Sequence, residues 1–287
     1  MKVLICTDGS PSAEMALKMG GLVAGALKAD TTLLGISETP SDQPALLEVL
    51  TRAQDYLREH HGLEASLLAK QGIPVERIVD ATRYTPYDLV VVGGARRGPA
   101  RLRPEKIYPL LKRVHSRLLV VGDHAHPEIK KILLCSGGSV YSERAVRFAG
   151  ELARALGAQI TFFHVMAAPP AIFESLENEE NPEVVMSTSS TLGRVVKHQK
   201  DLLEAMGVEH RILLVYGLVL EEIRAELERG GYDLVVAGSR PEGGGFLLDD
   251  VAQEILQHLD GSILVVRTRF GRRESLWGRL RKWLGRK

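Results

Sequence analysis

Two short stretches end in glycine at points where a ligand could bind. Tyr87–Gly94 returns as Tyr232–Ser239, with six identical residues in eight at an offset of 145. Each stretch is an apolar, β-branched run that stops at a glycine, Gly93 or Gly238, which predicts a strand buried on both faces. Parallel sheets accept ligands at the carboxyl ends of their strands, and glycine lets a phosphate approach the backbone. The two glycines are therefore candidate phosphate contacts.

A polar turn follows the first predicted strand. Lys2–Thr7 is an apolar run that ends in Asp8, Gly9 and Ser10. Ser10 is a suitable N-cap and Pro11 suits the first helical position, so a helix should begin there. Asp8 thus lies between a strand end and a helix N-terminus.

These elements belong to an internal repeat in which strands alternate with helices. The opening strand returns as Ile132–Ser136 at an offset of 129, and the later offset of 145 leaves 16 extra residues in the second copy. We place the insertion in the polar stretch 169–191 and expect a solvated acidic loop or lid. The alternation predicts an α/β fold of two tandem, doubly wound, five-stranded parallel-sheet (Rossmann-like) domains, residues 1–124 and 129–267.

The composition is that of an ordinary globular protein, with 287 residues of which 45% are hydrophobic and 25% charged. No apolar run approaches the roughly 18 residues of a membrane span, and the chain opens on a strand rather than a signal segment, so we expect a cytoplasmic protein. Cys6 and Cys135 occupy equivalent apolar runs and should be buried small hydrophobes. We find no metal spacing among the histidines and no Ser-His-Asp or paired-carboxylate arrangement, and we therefore expect no enzyme.

A basic tail, residues 268–287, follows the second copy. Residues 267–287 carry nine Lys or Arg and one acid, whereas the preceding 266 residues have a net charge of −7. Apolar residues recur at helical spacing among the basic ones, which predicts a short amphipathic helix of the kind that lies on membrane surfaces. The predicted contact residues are Trp277, Leu280, Arg281, Trp283 and Leu284. An anionic membrane, an acidic protein and the chain's own acidic body remain alternative partners, and nucleic acid is less favoured.

Over residues 1–266 the sequence resembles the universal stress protein family in its tandem two-domain form. The resemblance depends on the opening strand with Asp8, Gly9 and Ser10, on the repeated Asp-Leu-Val-Val-x-Gly strand, and on the closing helix and strand of each copy. It implies five parallel strands per domain and two halves that pair as a pseudo-dimer. Some members bind ATP through Gly-x-x-Gly, nine residues, then Gly-Ser/Thr, with an aspartate after the first strand holding the adenosine.

The two copies depart from that pattern to different degrees. In the first copy Asp8 and Gly93 match, but Arg96 takes the place of the second glycine. In the second copy Gly137 replaces the aspartate, Pro241 replaces the second glycine and two aspartates, residues 249–250, replace the closing pair. Each carboxylate about 4 Å from a phosphate oxygen would cost on the order of 4 kcal/mol at an effective dielectric of 20. The second half is not expected to bind ATP in the family's manner.

We therefore expect a non-enzymatic stress-response regulator or adaptor whose first half retains weak or altered binding of a nucleotide or anion, with ATP or AMP as the candidate ligand. The candidate contacts are Asp8, Gly9, Ser10, Ile36, Gly93, Arg96 and Arg97. Two alternatives stay open, namely an ATP-binding switch with slow hydrolysis centred on the first half, and an accessory protein that the tail recruits to a membrane transporter.

Overall fold

The computed structural model describes residues 1–94, 104–122, 125–138, 142–167, 179–239 and 261–267. The first half contains β1 (Lys2–Cys6), α1 (Pro11–Ala26), β2 (Asp30–Ser37), a short 3-10 helix (Pro40–Asp42), α2 (Gln43–His61), β3 (Ala65–Gln71), α3 (Pro74–Tyr84), β4 (Leu89–Gly94), α4 (Pro104–Arg113) and β5 (Arg117–Gly122). The second half contains β6 (Lys131–Cys135), α5 (Glu143–Leu156), β7 (Gln159–Met166), β8 (Glu179–Glu180), α6 (Pro182–Ser187), α7 (Thr191–Ala205), β9 (His210–Tyr216), α8 (Val219–Gly230), β10 (Leu234–Ser239) and β11 (Ser262–Arg267).

The two halves form one continuous sheet in the order β3-β2-β1-β4-β5-β11-β10-β6-β7-β9-β8. Within each half the five main strands are parallel, which confirms the predicted fold class. The halves meet where β5 pairs antiparallel with β11, and Leu119 lies directly opposite Leu264. This junction makes the chain a pseudo-dimer, as predicted. The strands of the first half run in the opposite direction to those of the second half. The carboxyl ends of the first-half strands therefore lie beside the amino ends of the second-half strands.

The aspartate of the repeated Asp-Leu-Val-Val stretch has a structural role in both halves. Asp88 Oδ2 accepts the backbone N–H of Lys2 at 2.8 Å, and the Asp88 N–H donates to the Lys2 carbonyl. Asp233 Oδ2 accepts the N–H of Lys131 at 2.8 Å in the same way. Each carboxylate thus fixes the start of β4 or β10 against the first strand of its half.

Two hydrophobic cores cover the two faces of the sheet, and each contains residues from both halves. One core packs under α1, α2, α5 and α7 and includes Leu119 and Leu264. The other packs under α3, α4 and α8 and includes Leu118 and Ile263. In addition, the Arg117 guanidinium lies 4.3 Å from the centre of the Phe148 ring, across the junction. The two halves are therefore joined through side chains as well as through the backbone.

The described part of the insertion is not the solvated acidic loop that we expected. Residues 179–187 contain β8, which pairs antiparallel with β9, and the short helix α6. Asn181 caps α6 by accepting the Glu183 N–H at 2.9 Å, and Pro182 occupies the first turn. Cap, proline and the apolar residues that follow are a helix-start signal, which the acidic composition obscured.

Other local predictions agree with the structure. Ser10 caps α1 through the Ala13 N–H at 3.4 Å. Both cysteines are free thiols buried in the strands. Burial raises the pKa of the Cys6 thiol, with a smaller contribution from the Asp8 charge, and burial raises the pKa of Cys135 to about 12. None of the described helices combines the length and the apolar content that crossing a bilayer requires.

Candidate functional site

A cleft opens at the carboxyl end of the first-half sheet, where β1, β2 and β4 end beside α1 and α3. It is a half-open depression, and about 440 Å³ of free space, much of it open solvent, lies between its walls and mouth. One part of the lining is polar and comes from the turn after β1 and the start of α1. The other part is apolar and comes from β2 and α3. The lining residues are Cys6, Thr7, Asp8, Ser10, Ser12, Ala13, Leu34, Ile36, Pro74, Ile78 and Gly93.

The polar wall is held in place by hydrogen bonds within the turn. Asp8 Oδ1 accepts the Ser10 N–H at 3.0 Å, and the Thr7 hydroxyl accepts the Gly9 N–H at 3.4 Å. Gly9 has a φ of +78°, which few residues other than glycine adopt, and an added Cβ would lie 2.9 Å from a Val49 methyl group. The turn therefore presents the Asp8 carboxylate at the N-terminus of α1, although Gly9 itself is not part of the cleft lining.

Gly93 is close to the protein's own backbone as well as to the cleft. A Cβ built on Gly93 would lie 2.3 Å from the Ser12 carbonyl oxygen and 3.0 Å from the Ala13 backbone nitrogen. The end of β4 is thus in direct contact with the first turn of α1. The close approach that the sequence suggested for a phosphate is made here by a helix.

The equivalent region of the second half has a different composition. Gly137 takes the place of Asp8, and Gly138, with a φ of +62°, takes the place of Gly9. The His164 ring lies against this turn, because a Cβ on Gly138 would be 2.6 Å from His164 Cε1 and 3.0 Å from a Leu192 methyl group. The second-half turn thus lies against an imidazole and a leucine, whereas the first-half turn lies against Val49.

A hydrogen-bonded cluster holds that arrangement. His164 Nδ1 lies 2.7 Å from the Ser136 carbonyl oxygen, the Ser136 hydroxyl donates to Gln199 Oε1 at 3.0 Å, and the Gly138 N–H donates to Ser136 Oγ at 3.3 Å. Gln199 is only 1% exposed. Burial lowers the pKa of His164, and the hydrogen bond to Ser136 opposes this shift. A neutral imidazole that donates from Nδ1 fits these surroundings.

Four of the predicted contacts, Asp8, Ser10, Ile36 and Gly93, line the same cleft. Pro74 and Ile78 of α3 also line the cleft and were not predicted, although the Gly72-Ile73-Pro74 turn was a signal that a helix begins beside a strand end. Several predictions lie outside the described residues, namely the roles of Arg96 and Arg97, of Pro241 with the aspartates at 249–250, and of the tail contacts Trp277, Leu280, Arg281, Trp283 and Leu284.

Comparisons with known proteins agree with this architecture. The sequence profile of the Universal stress protein family matches residues 1–103 and 128–267. A universal stress protein from Archaeoglobus fulgidus DSM 4304 superimposes with a TM-score of 0.69 at 17% identity, covering 93% of this chain and 98% of that one. A functionally unknown protein from Pseudomonas aeruginosa PAO1 gives a TM-score of 0.66 at 15% identity, with 93% and 92% covered. No curated protein matches the sequence significantly.

Proposed function

Since this chain belongs to the universal stress protein family, we propose that it is a cytoplasmic stress-response regulator that acts by binding, without a catalytic step, and that its ligand occupies the first-half cleft. The observation that carries the proposal is the pairing of an apolar wall with the Asp8 carboxylate in the first half, where the second half has Gly137 at the equivalent position. The second half serves in this proposal as a permanent structural partner.

The two walls of the cleft favour a flat apolar ring with hydroxyl or amine donors beside it. Leu34, Ile36 and Ile78 line the apolar side of the cleft, and the Asp8 carboxylate is a hydrogen-bond acceptor. An adenine nucleoside combines a ring with a ribose diol and meets both requirements. Adenosine, or the adenosine part of AMP or ATP, is therefore the proposed ligand.

A phosphate group would not be held at the α1 N-terminus. The Ser10 N–H already donates to Asp8, and the Ala13 N–H donates to the Ser10 hydroxyl. A phosphate oxygen about 4 Å from the Asp8 carboxylate would cost on the order of 4 kcal/mol at an effective dielectric of 20. Phosphates would have to lie towards the segment that follows β4, which carries Arg96 and Arg97. The nucleoside part should thus dominate the affinity.

Calorimetric titration of the full-length protein tests this proposal. We expect adenosine, AMP and ATP to bind with similar affinities and with one ligand per chain. Asp8→Ala should weaken adenosine binding by roughly tenfold or more, because a hydrogen bond to a charged group contributes about 1.5–3 kcal/mol. The full chain is needed, since either half alone would expose its side of the β5–β11 junction.

The matched control is Ser136→Ala, a change at the end of the first strand in the half that lacks the carboxylate. It should leave the adenosine affinity unchanged. If none of the three ligands gives heat or an NMR shift at millimolar concentration, the ligand proposal is wrong. If ATP binds far more tightly than adenosine, the alternative of an ATP-dependent switch is favoured, and phosphate release should then be measured.

The sequence of the tail, residues 268–287, supports a second proposal, peripheral attachment to an anionic membrane. It places both tryptophans of the protein at helical spacing among basic residues. Basic residues near an anionic surface contribute roughly 1 kcal/mol each. Such attachment would bring the ligand-binding half to a membrane, for instance beside a transporter, and it does not depend on what the cleft binds.

Co-sedimentation with vesicles measures this attachment. We expect the full chain to sediment with phosphatidylserine-containing vesicles and to be released from them by salt. It should not sediment with neutral vesicles. Trp277→Ala with Trp283→Ala should lower the bound fraction several-fold at an unchanged net charge. Equal sedimentation of the chain without residues 268–287 would exclude the tail as the membrane contact.

A further inference from the structure

The two outer edges of the sheet differ. Among the described strands, β3 ends the row on the first-half side, whereas β9 in the second half is followed by the added strand β8. Residues 66, 67, 69, 70 and 71 of β3 are exposed, and 41% of the Leu67 surface is accessible. A long uncovered edge strand is a site where another strand can pair.

The backbone groups that β3 presents outward can be identified from its register. Thr31 is opposite Ala65 and Ser37 is opposite Gln71, and the Gly72 N–H donates to the Ser37 carbonyl. In a parallel pair, alternate residues of a strand bond to the neighbouring strand, so the even-numbered residues of β3 face β2. Leu67, Ala69 and Gln71 therefore direct their N–H and C=O groups away from the sheet. The Ala65 carbonyl already accepts the Gln54 side-chain amide at 2.7 Å.

The equivalent edge of the second half shows how such groups are satisfied in this fold. β8 runs antiparallel to β9, with Glu180 opposite Leu214 and Glu179 opposite Val215. At the repeat offset of 145, Leu214 corresponds to Ala69. The position that β8 occupies beside β9 in the second half thus corresponds to the outer side of β3 in the first half, where no described strand lies.

We propose that the outer edge of β3 pairs antiparallel with β3 of a second copy of this chain, which makes the protein a dimer. β3 is complementary to itself when Leu68 lies opposite Leu68 of the second copy. In that register Leu67 lies opposite Ala69 of the second copy and exchanges backbone hydrogen bonds with it. Lys70 lies opposite Ser66, so no two like charges meet.

The presence of β8 at the opposite edge of the sheet favours a closed dimer over an open-ended filament of copies. At the other edge the two-residue strand β8 lies beside Leu214 and Val215 of β9, so β3 is the longer outer edge strand among the described residues. A twofold β3–β3 contact uses the β3 edge of both copies and leaves no β3 edge for a third copy. The pairing also covers Leu67, which is exposed in the single chain. The assembly therefore closes at two copies.

Sedimentation velocity of the full-length protein tests the dimer. We expect a species of twice the 31.5 kDa chain mass at protein concentrations up to roughly 100 μM, well above a micromolar Kd. Ala69→Pro should shift the Kd at least about tenfold towards the monomer, because proline removes an outward N–H that the sheet itself does not use. Ala69→Ser keeps that N–H and should remain dimeric.

A charge exchange keeps the proposal testable if the proline variant does not fold. Leu67→Lys with Ala69→Lys places lysines opposite each other across the contact, as Leu67→Glu with Ala69→Glu does with glutamates. Each double variant alone should be monomeric, and an equal mixture should recover the dimer. The proposal is overturned if the wild-type chain is monomeric throughout, or if Ala69→Pro or either folded double variant dimerises like the wild type.

Discussion

Replacing Gly93 with alanine is expected to destabilise the protein by about 3 kcal/mol or more, because backbone atoms would have to move to admit the methyl group. The added Cβ would lie 2.3 Å from the Ser12 carbonyl oxygen, and the first turn of α1 that contains Ser12 is fixed by its cap at Ser10. Neither partner is the end of a flexible side chain. Urea unfolding followed by far-UV circular dichroism measures the loss.

The repeat supplies the matched control for this change. Gly238 holds the equivalent position in β10, where the nearest described atoms to an added Cβ are Ala145 Cβ at 3.3 Å and Ser142 Cα at 3.9 Å. Gly238→Ala should therefore change the free energy of unfolding by no more than about 1 kcal/mol. Equal losses for the two variants would contradict the conclusion that β4, unlike β10, needs glycine for its contact with a helix.

A charge at the junction of the halves is expected to have an even larger effect. Leu119 is 1% exposed and lies opposite Leu264. Leu119→Asp removes a buried side chain worth roughly 2–3 kcal/mol and places in the core a charge whose desolvation costs several kcal/mol more. The sum is about 5 kcal/mol or more, a large part of an ordinary domain's stability. We expect the variant to be unfolded or aggregated.

The same substitution at an exposed leucine is the control that tests whether burial causes the loss of stability. Leu218 is 66% exposed and occupies the N-cap position of α8, where aspartate is a favoured residue. Leu218→Asp should keep the wild-type melting temperature within a few degrees. A soluble, cooperatively unfolding Leu119→Asp variant with wild-type stability would show that β5 and β11 do not form the junction described here.

The internal repeat made the order of strands and helices predictable. It did not show that β5 pairs with β11 at the junction of the halves. Strand and helix order followed from apolar runs and caps, since these depend on neighbours in the sequence. The pairing of β5 with β11 depends on two equivalent strands meeting in space, and an apolar run such as Leu118–Val121 looks the same whether its outer edge is covered or not. Asp88 illustrates the same limit, because its bond to Lys2 joins residues 86 positions apart.

The candidate site was predictable at the residues that belong to recognisable turns. Asp8 and Ser10 stand where a strand gives way to a capped helix, and Gly93 ends an apolar run. Pro74 and Ile78 lie on a helix that reaches the cleft only through the crossover from β3. His164 was missed as the residue beside the second-half turn, because the sequence does not show that Gly138 leaves space for its ring.

Because β5 and β11 belong to one polypeptide, their pairing is unimolecular. Linked segments meet at an effective concentration in the millimolar range, so dilution cannot separate the two halves as it separates subunits of a two-chain assembly. A half of another protein would have to compete with that effective concentration in order to replace the covalently linked neighbour. The half that carries Asp8 is thus always joined to the half that carries Gly137 at the equivalent position, a fixed asymmetry that two identical subunits could not maintain.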